Sequence, residues 1–338
     1  METCESPRKV MQLAHDVARH ALPDYASKFS RHDFTLAQLF ACLVVREMLG
    51  LSYRKAEATL ADTDWCQALG MPRAPDHSTL CRAFKRVVTS ANCGRMLDLF
   101  AAAMARARAL SRTLAVDSTQ FDTHRRSRHY ERRCRDRGGS LRSRTARRTP
   151  KLAFGACVRT HLILSSRPRT GMGSDAPDFA GLLYRAWRRH RVREVLADAG
   201  YDSEANHRSA RLDMGVRSLI KAGVGRPSDK PAAGRYRRLM QRRLAGSQRG
   251  RPYGQRAQAE TVVSMLKRNL GDSLRARTTR GRKMELLLKV LAHNAMVRRR
   301  RGSQQSRSLL ISRRFSSDPL SALGHAPARE IAASNGLR

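Results

Sequence analysis

The sequence predicts an α/β protein, a mixed sheet flanked by helices, with an all-α region at its N-terminus. Three observations point there. Up to about residue 110 the apolar residues recur at helical spacing and no convincing strand occurs. From Thr113 onward, short apolar runs with β-branched residues alternate with amphipathic helical stretches. Two of those runs, "LAVD" and "VLAD", end in an aspartate, Asp117 and Asp198.

In the N-terminal region, "TLAQLFACLVVREML" (Thr35–Leu49) is apolar almost all round, as a helix buried among others should be. "GLSYRKAEATLAD" opens a second helix with Ser52 as its N-cap. "HSTLCRAFKRVV" forms a short helix behind a Ser-Thr start and carries Arg82, Lys85 and Arg86; a long amphipathic helix, Gly94 to Leu110, follows. Short helices with a polar start and a basic face fit a helix-turn-helix-like DNA reader. They fit a helical bundle with a solvated basic face equally well.

The second half begins with the strand "TLAVDSTQF", then two strands in "KLAFGACVRTHLILSS" (Lys151–Ser166) with a tight turn near Arg159 and Thr160. "DAPDFAGLLYRAWRRH" is a helix capped by Asp175 or Asp178. The strand "VREVLAD", a short helix "SEANHRSARLD" capped by Asp202 or Glu204, the strand "VRSLIKA" and a Gly/Arg-rich link through residue 250 come next. Two helices finish the core, one from about Tyr253 to Leu270 and one in "RKMELLLKVLAHNAMVRR", where Glu285 pairs with Lys289 at i+4. A basic, low-complexity arm at about 123–150 interrupts the first two strands, and residues 302–338 read as a poorly ordered tail. The expected division is a helical region 1–110, a sheet domain 111–301 and that tail.

Composition narrows the partners. With 67 Lys+Arg against 28 Asp+Glu, the formal net charge is +39, which calls for a polyanion. Aromatic residues make up 5%, too few for a reader that stacks successive unpaired bases, so duplex DNA is the expected partner. No long apolar run or signal-peptide core marks a membrane or secreted protein, and the expected location is the cytoplasm. Seven scattered cysteines without C-x-x-C spacing argue against disulfides and structural zinc.

Metal-assisted phosphodiester chemistry needs a few carboxylates converging from separate elements in a basic cleft. Asp117 and Asp198, at the ends of strands in one sheet, can face one site. The third candidate lies in "YGQRAQAETVVSMLKRNL". At about 100° per residue, Tyr253, Arg256, Glu260 and Lys267 fall at roughly 0°, 300°, 340° and 320°, one stripe beside the apolar face of Ala259, Val263, Leu266 and Leu270. By itself, Glu260 between two bases reads as a salt-bridged surface residue. Asp122 reads as a loop residue, and His124, His129 and His161 lack metal-ligand spacing.

Together, Asp117 in "AVDST", Asp198 in "DAGYDS", and Tyr253, Arg256, Glu260 and Lys267 in the pattern Y-x2-R-x3-E-x6-K resemble the DDE insertion-sequence transposases, closest to groups four and five of the bacterial insertion sequences. The resemblance covers nearly the whole chain, since "PDHSTLCRAFKR" is similar to the helical segment such proteins carry before the first aspartate. It implies a ribonuclease H-like catalytic domain, with Asp117, Asp198 and Glu260 holding two Mg²⁺ ions, or Mn²⁺ as a substitute. It implies Arg256 and Lys267 at the phosphates near the scissile bond, with Tyr253 packed or hydrogen-bonded there. The partners implied are element terminal inverted repeats and target DNA, met by a dimer or larger assembly. The family often carries a β-rich insertion between the second aspartate and the glutamate; here that interval is 62 residues and predicts only one strand, a helix and a basic linker. Two other functions remain open on sequence: a nuclease of the same fold that does not join DNA, and an inactive DNA-binding derivative.

Overall fold

The computed structural model describes residues 2–123, 149–171, 173–223, 233–244 and 252–298. Most of the arm, with His124 and His129, and the whole tail lie outside the described residues.

Five strands form the central sheet: β1 (Thr113–Gln120), β2 (Pro150–Cys157), β3 (Ile163–Thr170), β4 (Glu194–Ala197) and β5 (Arg217–Ile220), in the order β3-β2-β1-β4-β5. β1, β4 and β5 run parallel, while β2 runs antiparallel to both β1 and β3. This is the mixed sheet that the alternation of elements predicts, and with its helices it fits the ribonuclease H-like α/β fold. Every residue of β2 is buried, so helices must cover it on both sides. Helix α6 (Phe179–Arg189) packs on β1, β2 and β3, as do α9 (Ala257–Leu270) and α10 (Thr279–Met296) between them.

The N-terminal helices are α1 (Pro7–Ala21), α2 (Leu36–Met48), α3 (Tyr53–Ala61), α4 (His77–Val87) and α5 (Ser90–Arg106). α2 is buried along almost its whole length, as its all-round apolarity requires, and a reciprocal Thr35–Gln38 capping box starts it. Ser52 caps α3 as expected. α4 is capped by Asp76, not by Ser78 or Thr79, because the carboxylate accepts both of their N–H groups at 2.8 and 3.1 Å. Hydrogen bonds from the Ser78 and Thr79 side chains to its charged form, with these N–H groups adding to them, hold the Asp76 carboxyl well below the usual range. α5 starts earlier than the sequence suggests, at the Thr89 cap, so Gly94 lies within its first turns.

α2 also packs on α10 through a buried charge cluster. Glu47 and Lys289, each 1% exposed, pair at 2.9 Å, and the Lys289 ammonium also donates to the Leu270 carbonyl. This corrects the expected Glu285–Lys289 pair. Glu285 instead accepts the backbone N–H groups of Arg275 and Ala276 at 2.9 and 2.8 Å, closing the turn before α10. At the sheet edge, Asn294 of α10 donates to and accepts from the backbone of Ile163, both at 2.9 Å, and so stands in for a missing neighbouring strand.

No single helix among the described residues is long and apolar enough to cross a membrane. The six cysteines among them are unpaired.

Removing Lys289 leaves buried Glu47 with only its longer contact to Arg46, at 3.5 Å. Lys289→Met should therefore lower the unfolding free energy by about 3 kcal/mol or more in urea titrations, far beyond the effect of an exposed lysine.

Candidate active site

The site begins with strand register. β1 and β4 pair in parallel from Thr113↔Glu194 to Val116↔Ala197. Asp117 and Asp198 are each the next residue, so they lie side by side where that pairing stops; Asp117 does not end its strand as expected, because β1 runs on to Gln120 against β2. Asp198 accepts the Gly200 N–H at 3.1 Å through Oδ1, capping the turn Ala199–Tyr201, and its second oxygen is left to the site. Asp117 accepts the N–H of Ser118 at 2.7 Å.

Asp117 reports how the acids converge. Burial pushes its carboxyl up to about 6, partly opposed by the Ser118 N–H; Asp198 and Glu260 raise it further, and Arg256 draws it down. The three acids and Arg256 therefore share one electrostatic neighbourhood.

The third acid arrives on α9. The expected helix from Tyr253 is in fact a 3₁₀ turn, Pro252–Arg256, running into α9. Tyr253 is buried, and its hydroxyl donates to the Ala197 carbonyl at 3.2 Å. Its polar atom is committed to the backbone beside Asp198, where it ties the start of α9 to the end of β4. Glu260, its side chain 60% exposed, pairs with Arg256 one turn earlier. Ala259, Leu266 and Leu270 are buried and Val263 partly so, as the helical stripe predicts. Lys267 lies 5.9 Å from the ring of Phe121, just past Asp117 along the chain.

Among the described residues no three carboxylate, histidine or cysteine side chains already enclose a metal ion. The donors nevertheless suit a hard divalent cation: they are carboxylate oxygens, and Asp117 carries a burden of burial and like charge that such a cation relieves. Glu260 is turned onto Arg256 in this arrangement. Arg82, Lys85 and Arg86 lie on the exposed side of α4, and nothing places them beside the acids.

Sequence reasoning missed a second set of acids. Asp175, expected as a helix cap, instead pairs with the buried Lys151 and accepts the Ser118 hydroxyl at 2.8 Å, which ties it to the residue next to Asp117. Asp178, 1% exposed, takes Arg167 at 2.8 Å and Arg169 at 2.5 Å; neither acid caps α6 through its side chain. The alternation Arg167-x-Arg169, with both residues on one face of a strand, was the available signal. Tyr201, fully buried, has its hydroxyl pKa pushed up by burial and by the fields of Asp175, Asp117 and Asp198. Asp122 forms a short parallel bridge with Ser273 rather than a plain loop. His161 turns between β2 and β3, and its ring meets Gln258 of α9 at 2.7 Å.

A family model described as the transposase DDE domain matches residues 108–295, more than half of the chain. The chain belongs to that family. A comparison with curated proteins finds no match. Transposases of this family work with divalent metal ions, which suits the carboxylate donors of this one.

The raised carboxyl has a stability consequence. Between about pH 4 and pH 6 folded Asp117 holds a proton that the unfolded chain has lost, so its contribution to stability is full below pH 4 and is lost as pH rises through 6. Asp117→Asn should thus stabilise the metal-free transposase at pH 7.5 by about 2 kcal/mol and make no difference at pH 4, read by thermal melts at both pH values.

Proposed function

We propose that this transposase binds the ends of its insertion sequence, cuts them and joins the freed 3′ ends to target DNA. The observation carrying this reading is the adjacency of Asp117 and Asp198 across a parallel strand pair, with Glu260 in the same electrostatic neighbourhood. The Y-x2-R-x3-E-x6-K pattern supports assignment to insertion-sequence groups four and five.

Asp117, Asp198 and Glu260 would hold the divalent ions, two Mg²⁺ with Mn²⁺ as a substitute, whose chemistry here is to activate the attacking oxygen and stabilise the leaving one. The remaining roles belong to the chain. Arg256 and Lys267 neutralise backbone phosphates beside the acids. The Arg256–Glu260 pair is a helical i,i+4 contact with its carboxylate exposed, worth at most about 1 kcal/mol. A DNA phosphate can therefore take over Arg256 cheaply, releasing Glu260 to complete the carboxylate set. Assembly of the site is thereby linked to DNA, which guards against cleavage without substrate. Tyr253 and Ser118 hold the backbone on either side of the site, through the Ala197 carbonyl and Asp175.

Residues 1–110 form the DNA-binding region in this reading, with Arg82, Lys85 and Arg86 on α4 meeting duplex phosphates, and residues 111–301 form the catalytic domain. Two element ends need two active sites, so the working assembly is a dimer or larger, acting on nucleoid DNA in the cytoplasm.

The test uses labelled DNA carrying the element's own ends, with Mg²⁺, and compares wild type with Glu260→Gln. The variant should lose cleavage and joining by at least about 10³-fold while keeping DNA affinity within about twofold. Cleavage retained in Glu260→Gln overturns the assignment; cleavage without joining in wild type reduces the protein to a nuclease.

A further inference from the structure

The Gly/Arg-rich stretch after β5, which reads as a linker, contains a helix, α8 (Arg235–Arg243, RYRRLMQRR). Three contacts fix its orientation. Arg237 pairs with Asp202 at 2.8 Å, an acid 1% exposed that also accepts the Gly223 N–H at 2.8 Å just beyond β5. Glu204, the first residue of α7 (Glu204–Arg208), accepts the N–H groups of Tyr236 and Arg237 at 3.2 and 3.1 Å, so it caps α8 from outside. This corrects the expectation that Asp202 or Glu204 caps α7; Ser203 does so. The outside cap is needed because position 234 is a glycine with φ of 97°, against which the Glu204 carboxylate sits too closely for any Cβ. Finally, Met240 is fully buried, and Arg211 lies 5.3 Å from the Tyr236 ring.

These anchors define which way the helix faces. At about 100° per residue, Tyr236, Met240 and Arg237 lie within roughly 100° of one another on the docked side, while Arg235, Arg238 and Arg242 fall within about 60° on the opposite side. All three are exposed, and none has an acidic partner among the described residues. Along the axis they span about 10 Å. Because Asp202 and Glu204 follow Asp198 within a few residues, α8 is docked at the end of the sheet that carries the candidate acids. A charged helix held on one side by the buried Asp202 and by Glu204, whose opposite arginines meet no acid among the described residues, differs from an ordinary solvated face. Its orientation has been fixed, and its charge left available.

We propose that α8 is a phosphate clamp: Arg235, Arg238 and Arg242 grip the backbone of the DNA duplex where it passes the active site, in the interval where relatives carry a β-rich insertion. This rests on the DNA-binding reading above. The test measures binding of a fluorescein-labelled DNA duplex by the full chain across a salt series. It compares wild type, the triple variant Arg235→Glu/Arg238→Glu/Arg242→Glu, and a charge-matched control, Arg188→Glu/Arg191→Glu/Arg193→Glu, whose exposed arginines lie before β4 at the other end of the sheet. Melting curves verify that both variants fold.

The α8 variant should bind at least about tenfold more weakly and lose between 2 and 3 units of the slope of log affinity against log salt, about 0.9 per phosphate contact. The control should lose less than 1 unit. If wild type binds and the α8 variant matches it, or if the control loses as much, the clamp is overturned and DNA binding stands. A wild type that does not bind DNA overturns both.

Discussion

The parallel pairing of β1 with β4 is the constraint on which the site depends. It stops at Val116↔Ala197, and the two residues that follow are the aspartates. Tyr253 reaches the same point from the other side, since its hydroxyl bonds the Ala197 carbonyl. One backbone position thus fixes Asp198, and through Asp198's neighbour it fixes the turn that launches Glu260 on α9. A slip of one residue in this register would turn Asp117 to the opposite face of the sheet.

Acids in this chain divide by what neutralises them. Glu47 has Lys289, Asp178 has Arg167 and Arg169, Asp202 has Arg237, and Asp175 has Lys151. Each of these carboxylates sits against a cation, and all but Asp178 join elements well separated in sequence. Asp117 is different: its nearest fields include two other carboxylates, and its charge is disfavoured by its own fold. Such self-opposition costs stability and persists where function requires it. In a protein with net charge +39, crowded acids carry more functional information than paired ones.

Those paired acids also explain how a basic protein holds some of its cationic surfaces rigid and others exchangeable. Arg237 is held, so its neighbours on α8 are presented; Arg256 is held loosely, so it can be exchanged. Burial sets the difference. The Asp202 carboxylate is 1% exposed and its pair resists screening, whereas Glu260 is open to solvent and to salt.

Local signals were enough for the sequence to determine much of this protein. Periodicity placed the strands, the buried helix α2 and the helix carrying Glu260, because a segment's apolar spacing is set by which of its faces is covered. The D, D and Y-R-E-K residues were legible at fixed spacing. The sequence could not show that Asp175 faces Lys151 and Ser118, that Lys289 meets Glu47 instead of Glu285, that Tyr253 is turned inward, or that an apparent linker holds a docked helix. Each of those depends on a partner tens to hundreds of residues away. A carboxylate near a helix start looks the same in sequence whether it caps that helix or reaches across a sheet. Only the tertiary structure decides, because the cost of burying a charge is met by whichever cation the fold brings within reach.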